Sequence, residues 1–411
     1  MGSGMTLPFL MVYLDTVRGM GLGVAGAALS TTALAGLVGN PVGGAWADRA
    51  GPRRVLAAGW AIAALGTCGF AMASRPWHAL AAAATSGIGV ALAWPAQDAL
   101  LAKLVPTRSH SGVFAMRHAT LNLGLGVGAF GAALLVDVGR PDTFALLYLL
   151  DAASFALAVA VLTLVRSPAT PPLTPSGSQG EEAEVVESPR GYRAVARDRL
   201  FIRVWVLLTV LVAVGFSQLN SAFPVYLTQA GMSAGLVGWA FAANAVTVVG
   251  AQLIVLKFAR GCRRTAAIRL LCVLWALAWV LVLVVVTEDL DTRTVVALVV
   301  LAAVIFSLGE TLFAPTVPAL VNSIASDALR GRYNGAAAFA YTVGFAAGPA
   351  MAGVLLQHEL GIPLLVGLIA GCGVAGLLTV SIRRRLPVTA DLIDPPITEG
   401  GLEINRQDTT T

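Results

Sequence analysis

Apolar residues run in long blocks along the whole chain, and short polar clusters separate them. A helix needs roughly 20 mostly apolar residues to cross the hydrocarbon core of a bilayer. The blocks predict membrane-spanning helices over 5–16, 22–46, 55–73, 77–103, 112–137 and 144–165. The second set covers 203–227, 235–257, 266–287, 294–322, 334–357 and 362–382. The longest polar stretch, 166–202, divides these spans six and six. Pro, Ser, Gly and Glu dominate its first part, which is expected to be a largely disordered linker, and Tyr192 to Arg199 is expected to form a short surface helix. The expected domains are therefore a six-helix bundle over 1–165, a linker over 166–202, a second bundle over 203–382, and a disordered tail over 383–411. The fold class is an all-α polytopic membrane protein.

Composition agrees. The 411 residues are 57% hydrophobic and 12% charged, against about a quarter charged in soluble domains. The net charge of +5 does not point to nucleic acid, because the cations sit in short loops. All but four of the 27 Lys and Arg fall in loops on one side; the exceptions are Arg18, Arg75, Arg140 and Arg293. Positive loops face the cytoplasm, so both termini and the linker are expected there, in a multi-pass protein of the cytoplasmic membrane. Cys68, Cys262, Cys272 and Cys372 are far apart with no CxxC pair, which suggests neither a disulfide framework nor a zinc site. No cofactor is expected, and the sequence offers no GxSxG, HExxH or phosphate-binding loop, so an enzyme is not expected. GVGAFG (126–131) satisfies GxGxxG but lies inside a membrane span, without the preceding strand that a dinucleotide site needs.

The halves resemble each other. ALAWPA (91–96) aligns with TLFAPT (311–316), Gly124 with Gly344, Gly128 with Gly348, RAGPRR (49–54) with ARGCRR (259–264), and VYL (12–14) with VYL (225–227). The first half lacks a counterpart of FIRVWVLLTVLVA, which precedes the equivalent point of the second half. Residues 5–16 reach only about 18 Å as a helix, so the sequence as given is expected to lack the cytoplasmic half of its first helix.

The loop GNPVGGAWADRAGPRR (39–54) carries Gly44, Asp48, Arg49, Gly51, Arg53 and Arg54 in the spacing G-x-x-x-D-R-x-G-x-R-R. This resembles the signature of the major facilitator superfamily. FSLGETLFAP (306–315), LRGRYNG (329–335) and LWALAW (274–279) resemble its drug:proton antiporter branch with twelve helices. The resemblance implies a major facilitator fold, with two six-helix bundles related by a pseudo-twofold axis along the membrane normal. It also implies a gating role for the loop, in which Asp48 latches the halves on the cytoplasmic side. The other reading is that the loop only fixes topology. The second-half copy has Phe258 in place of the aspartate. The family's helix-four arginine and glutamine are replaced by Ala83 and Ser86. The antiporter proline-glycine element is missing from helix five and stands instead in helix eleven as Gly344, Gly348, Pro349 and Gly353. Together with Gly124 and Gly128, these residues are expected to form close helix-packing faces.

A charge at the bilayer centre costs about 2.5–3.5 kcal/mol even on the gentlest scale. Glu310 and Asp151 are therefore candidate proton-coupling groups; each has a structural alternative, a local tie to backbone, an arginine or another neighbour. Asp98, near Lys103, is read as a structural ion pair or cap. Asn122, Gln218, Asn220, Asn244 and Tyr341 are candidate cavity residues, with interhelical bonding as the alternative for the amides. The functional expectation is a secondary active transporter that moves small, lipophilic molecules outward by alternating access and proton antiport. Its partners would be a small-molecule substrate and membrane lipids, with no nucleic acid, in a monomer. The alternatives are a metabolite importer of the same fold or a transport-inactive scaffold.

Overall fold

In the computed structural model the described residues are 2–104, 110–137, 140–164, 190–232, 234–259, 261–313, 315–325 and 329–393. Twelve helical segments cross between two faces. They are α1 (2–17), α2 (Leu22–Ala50), α3 (Pro52–Ala71), α4 (Pro76–Leu104), α5 (His110–Leu135), α6 (Pro141–Leu164), α7 (199–229), α8 (Ala234–Ala259), α9 (Arg264–Thr287), α10 (292–324), α11 (Arg330–Gln357) and α12 (Gly361–Arg383). Ten of them are long and apolar enough to span a bilayer among the described residues. The exceptions are α1 and α5, whose apolar part runs over Leu123–Leu135. Most of the expected linker, 165–189, and the tail from 394 lie outside the described residues. The short helix expected before α7 is present as Arg190–Arg197.

Short local signals set the helix ends. The α2–α3 turn is closed by Gly51 at φ 87°, a conformation open to glycine, with its N–H on the Ala47 carbonyl at 3.1 Å and Pro52 starting α3. Asp198 caps α7 by accepting from the N–H groups of Leu200 and Phe201, and its other oxygen accepts from the Tyr333 hydroxyl at 2.7 Å.

The duplicated sequence folds into duplicated packing. In the first half α3 lies against α4 and α6; in the second, α9 lies against α10 and α12. The halves meet through α1 with α7, α2 with α11, and α5 with α8. The repeat exchanges the last two pairs, so the interface is pseudo-symmetric. Tyr13 and Tyr226, the equivalent tyrosines of the VYL repeat, are both fully buried. Each hydroxyl donates to a backbone carbonyl, Phe70 at 2.9 Å and Gly361 at 2.6 Å. Trp275 and Trp279 of the LWALAW run form the centre of the second core. Their indole N–H groups donate to the Phe306 and Val214 carbonyls, both at 3.0 Å.

The tail begins with an ordered strap. Val388–Asp391 forms one helical turn, and Asp391, expected to be disordered, is buried. Its carboxylate accepts from the N–H and hydroxyl of Thr265 at the start of α9. Ile393 pairs by backbone with Gly261 and Cys262.

Candidate functional site

The contacts that join the halves crowd towards one end of the bundle, the far side, opposite the end where α6 stops and α7 begins (the linker side). A Cβ on Gly26 of α2 would strike the Pro349 carbonyl and Gly353 of α11, and Gly353 in turn faces Leu22 and Gly26. The Gln357 side chain accepts from the Gly23 N–H at 2.8 Å. A Cβ on Gly238 of α8 would meet Ala129 and Ala133 of α5, and one on Gly126 of α5 would meet Ala245 of α8. Glycine lets these backbones touch, because any side chain there would hold them apart. Deeper in, the Ser30 hydroxyl of α2 donates to the Ala346 carbonyl of α11 at 2.6 Å.

Below that seal a cavity of about 310 Å³ opens between α1, α2, α7 and α11. Leu7, Leu29 and Phe345 supply apolar wall. Asn40, Asn220 and Tyr341 supply polar groups, and Thr32, Ser217 and Thr342 supply hydroxyls. Every lining residue is neutral. Tyr341 continues an aromatic chain into the second core: its ring meets Phe313, which meets Phe216, which meets Trp275. Asn220 and Tyr341, two of the candidate cavity residues, line this cavity. Gln218 follows the interhelical alternative: it is buried, and its amide donates to the Ala213 and Gly348 carbonyls at 2.8 and 3.1 Å, binding α7 to α11. The side chain of Asn122 lies outside the described residues.

Glu310 is half-buried on α10, about 27 Å along the axis from Thr292. It stands near the middle of the 33-residue run Thr292–Ile324. Its carboxyl oxygen Oε2 accepts from Asn244 Nδ2 of α8 at 3.2 Å, and the same nitrogen donates to Ser307 Oγ at 2.7 Å. Ser307 and Glu310 are three residues apart and so share a helix face. That spacing was the signal that could have linked them in advance. Among the described residues, neither an arginine nor the backbone is the partner of the Glu310 carboxyl. Asp151 is buried between α6 and α1, where it accepts from the Thr6 hydroxyl at 2.7 Å, and it is not part of the cavity wall. Asp98 pairs with Arg117 of α5 at 3.2 Å, and the Arg117 guanidinium lies 4.6 Å over the Trp94 ring; the side chain of Lys103 lies outside the described residues. Nothing in the sequence spacing pointed to that cation–π contact.

The α2–α3 loop is at the linker side. Arg53 donates to the Thr163 carbonyl at the end of α6 at 2.8 Å, where the helix dipole favours a cation. Arg49 and Arg54 are exposed, and the side chain of Asp48 lies outside the described residues. Gly44 has open space where a Cβ would stand. Among the packing glycines, Gly344 and Gly348 meet α7 at Val212 and Ser217, while Gly353 meets α2. Gly124 is half-buried and Gly128 buried on α5; between them, Gly126 makes the contact with α8.

The family model of the Major Facilitator Superfamily matches residues 1–288 and 205–401. The uncharacterised MFS-type transporter YqjV of Bacillus subtilis (strain 168) is 26% identical over 363 residues, covering 87% of this chain and 83% of that one. Quinolone resistance protein NorA of Staphylococcus aureus (strain MRSA252) is 23% identical over 390 residues, covering 94% and 93%. Among solved structures, the inward-open xylose transporter XylE of E. coli superposes with a TM-score of 0.66 at 15% identity, over 94% of this chain and 93% of that one.

Proposed function

The chain belongs to the major facilitator superfamily of membrane transporters, and from that premise we propose that it exports small lipophilic molecules in exchange for protons. The observation that carries the cargo class is the neutral lining of the cavity between α1, α2, α7 and α11; a second cavity between the halves, with Asp15 and Asp137 in its wall, lies at the far end. A charged or densely hydroxylated metabolite would leave its polar groups unpaired against Leu7, Leu29 and Phe345, and buried polar groups without partners are costly. The quinolone-resistance name of one relative points the same way. Glu310 is the coupling group of this reading, because it is a protonatable side chain near the middle of its helix with amide and hydroxyl neighbours instead of a cation. Asp151 is a structural group tied to Thr6.

Alternating access supplies the cycle. On this reading the far-side seal and the cavity beneath it belong to a state open to the linker side, and the arginine-rich loops support a cytoplasmic position for that side. Cargo enters from that side, the halves tilt, and the glycine seams part. The α2–α3 loop then closes the linker side, with Asp48 as its latch. Proton binding at Glu310 from outside returns the carrier.

The test uses inside-out membrane vesicles with an imposed proton gradient and a panel of lipophilic dyes and polar sugars or nucleosides. Dye accumulation that collapses the gradient, abolished in Glu310→Gln, is the expected result. Accumulation of the polar solutes alone, or undiminished dye transport by Glu310→Gln, would overturn the reading.

A further inference from the structure

We infer that Asn244 is a positioning residue through which the proton on Glu310 is felt at the joint between the two halves; the inference rests on the coupling role proposed above for Glu310. Hydrogen bonding fixes how the amide points. Ser307 Oγ donates to the Ala303 carbonyl at 2.6 Å, which commits its single proton. The group facing its lone pairs must then be a donor, so Asn244 presents Nδ2 there, at 2.7 Å. The second proton on that nitrogen reaches Glu310 Oε2. Oε2 can accept both as a carboxylate oxygen and as the carbonyl oxygen of the neutral acid, so the proton Glu310 gains is directed to Oε1. Only the strength of the bond changes. An N–H bond to an ionised acceptor is roughly twice as strong as one to a neutral acceptor. The α8–α10 joint is therefore tight when Glu310 is ionised and slacker when it is protonated.

The next residue carries this outwards. Ala245 lies about 100° round α8 from Asn244, against Gly126 of α5. A shift of α8 relative to α10 thus acts directly on the contact between halves. Among the described residues, the other charged groups on elements packed against α10 lie towards the linker side: Arg199 and Arg203 on α7, Arg332 on α11, and Asp391 of the strap, which is bonded to Thr265. On α9, Trp275 stands level with Gly309. Its cations Arg269 and Arg264 lie about 9 and 17 Å nearer the linker side, and Cys272 is its other titratable group. On α8 the one charged residue, Lys257, is about 20 Å further along the axis. From α7 and α11, the rings of Phe216 and Tyr341 reach α10 at Phe313.

The test needs no cargo. The full chain in lipid nanodiscs carries spin labels at Leu164 and Arg384, the exposed linker-side ends of α6 and α12. The distance between them is followed against pH, while infrared difference spectra follow the carboxyl band of Glu310. In Asn244→Leu the band still appears on acidification, but the pH-driven change in the ratio of conformers falls about fivefold, the weight of one hydrogen bond. Asn244→Gln recovers part of it. Ser307→Ala, a smaller change to packing, reduces the response by freeing the amide to turn. A full wild-type response in both Asn244→Leu and Ser307→Ala overturns the inference while leaving Glu310 as the coupling group. A full response in Glu310→Gln overturns the coupling role itself.

Discussion

Single side chains here do one of two things: they satisfy buried polar groups, or they wait for a change of state. Asp391 belongs to the first kind. It accepts two hydrogen bonds from Thr265 and so caps α9 from a point 126 residues away in sequence. Asp391→Ala is expected to cost about 1–2 kcal/mol, the range for a lost cap, and to lower the thermal midpoint in detergent; an unchanged midpoint would mean the strap adds nothing. No local pattern announces such a cap, because donor and acceptor share no sequence neighbourhood. The equivalence of Tyr13 and Tyr226 was legible in the repeated VYL, but their burial was not, because their carbonyl partners Phe70 and Gly361 lie on other helices. Glu310 was legible as a costly exception in an apolar run, but its partner was not, because Asn244 is on another helix. Cys262 is the exposed cysteine among the four and sits at the linker side beside Gly261. A membrane-impermeant maleimide should therefore label it in inside-out vesicles and not in intact cells, and the reverse pattern would invert the proposed orientation.

Helices make the same distinction on a larger scale. Gly26 on α2 is crowded by α11, whereas Gly44, five turns further along the same helix, faces open space. Gly26→Leu should prop the far-side seam open and shift the carrier towards its other state. Gly44→Leu should be tolerated in the state described here and should block closure of the linker side. The two variants are expected to move the Leu164–Arg384 distance in opposite directions; movement in the same direction would show that α2 is not the lever. At the far end of α10, outside the membrane, Asp291 caps the helix. Its carboxyl is held below the ordinary 3.8 by the hydroxyl and N–H of Thr294 and the N–H of Arg293. A depressed carboxyl contributes its stabilisation above its ordinary titration and loses it as pH falls through its lowered value. The protection of the first turn of α10 against hydrogen exchange, relative to the unfolded chain at the same pH, should therefore fall below about pH 4, and in Asp291→Asn that change in protection should disappear. The span ends were readable only approximately: the apolar runs end at 46 and restart at 55, whereas α2 continues through the motif to Ala50 and α3 starts at Pro52. The α5 span was less so, because its apolar part is short.

Among the described residues the molecule is a duplicated bundle whose halves touch chiefly through α1 with α7, α2 with α11 and α5 with α8. Two of those pairs exchange under the repeat, so a single tilt about the axis loosens both seams together. Repeat, loop charge and the α2–α3 motif made this architecture legible before any coordinates, because each depends on position along the chain. Which end is sealed was not legible, since the two states share one sequence and differ only in which seams are closed. The measurement that bears most directly on alternating access places spin-label pairs at both ends of the same two helices, Arg140 with Glu359 on the far side and Leu164 with Arg384 on the linker side, all exposed. Distances are recorded with and without a proton gradient. Alternating access predicts opposed changes, the far pair lengthening as the linker pair shortens. Two distances that stay fixed, or that lengthen together, would contradict it.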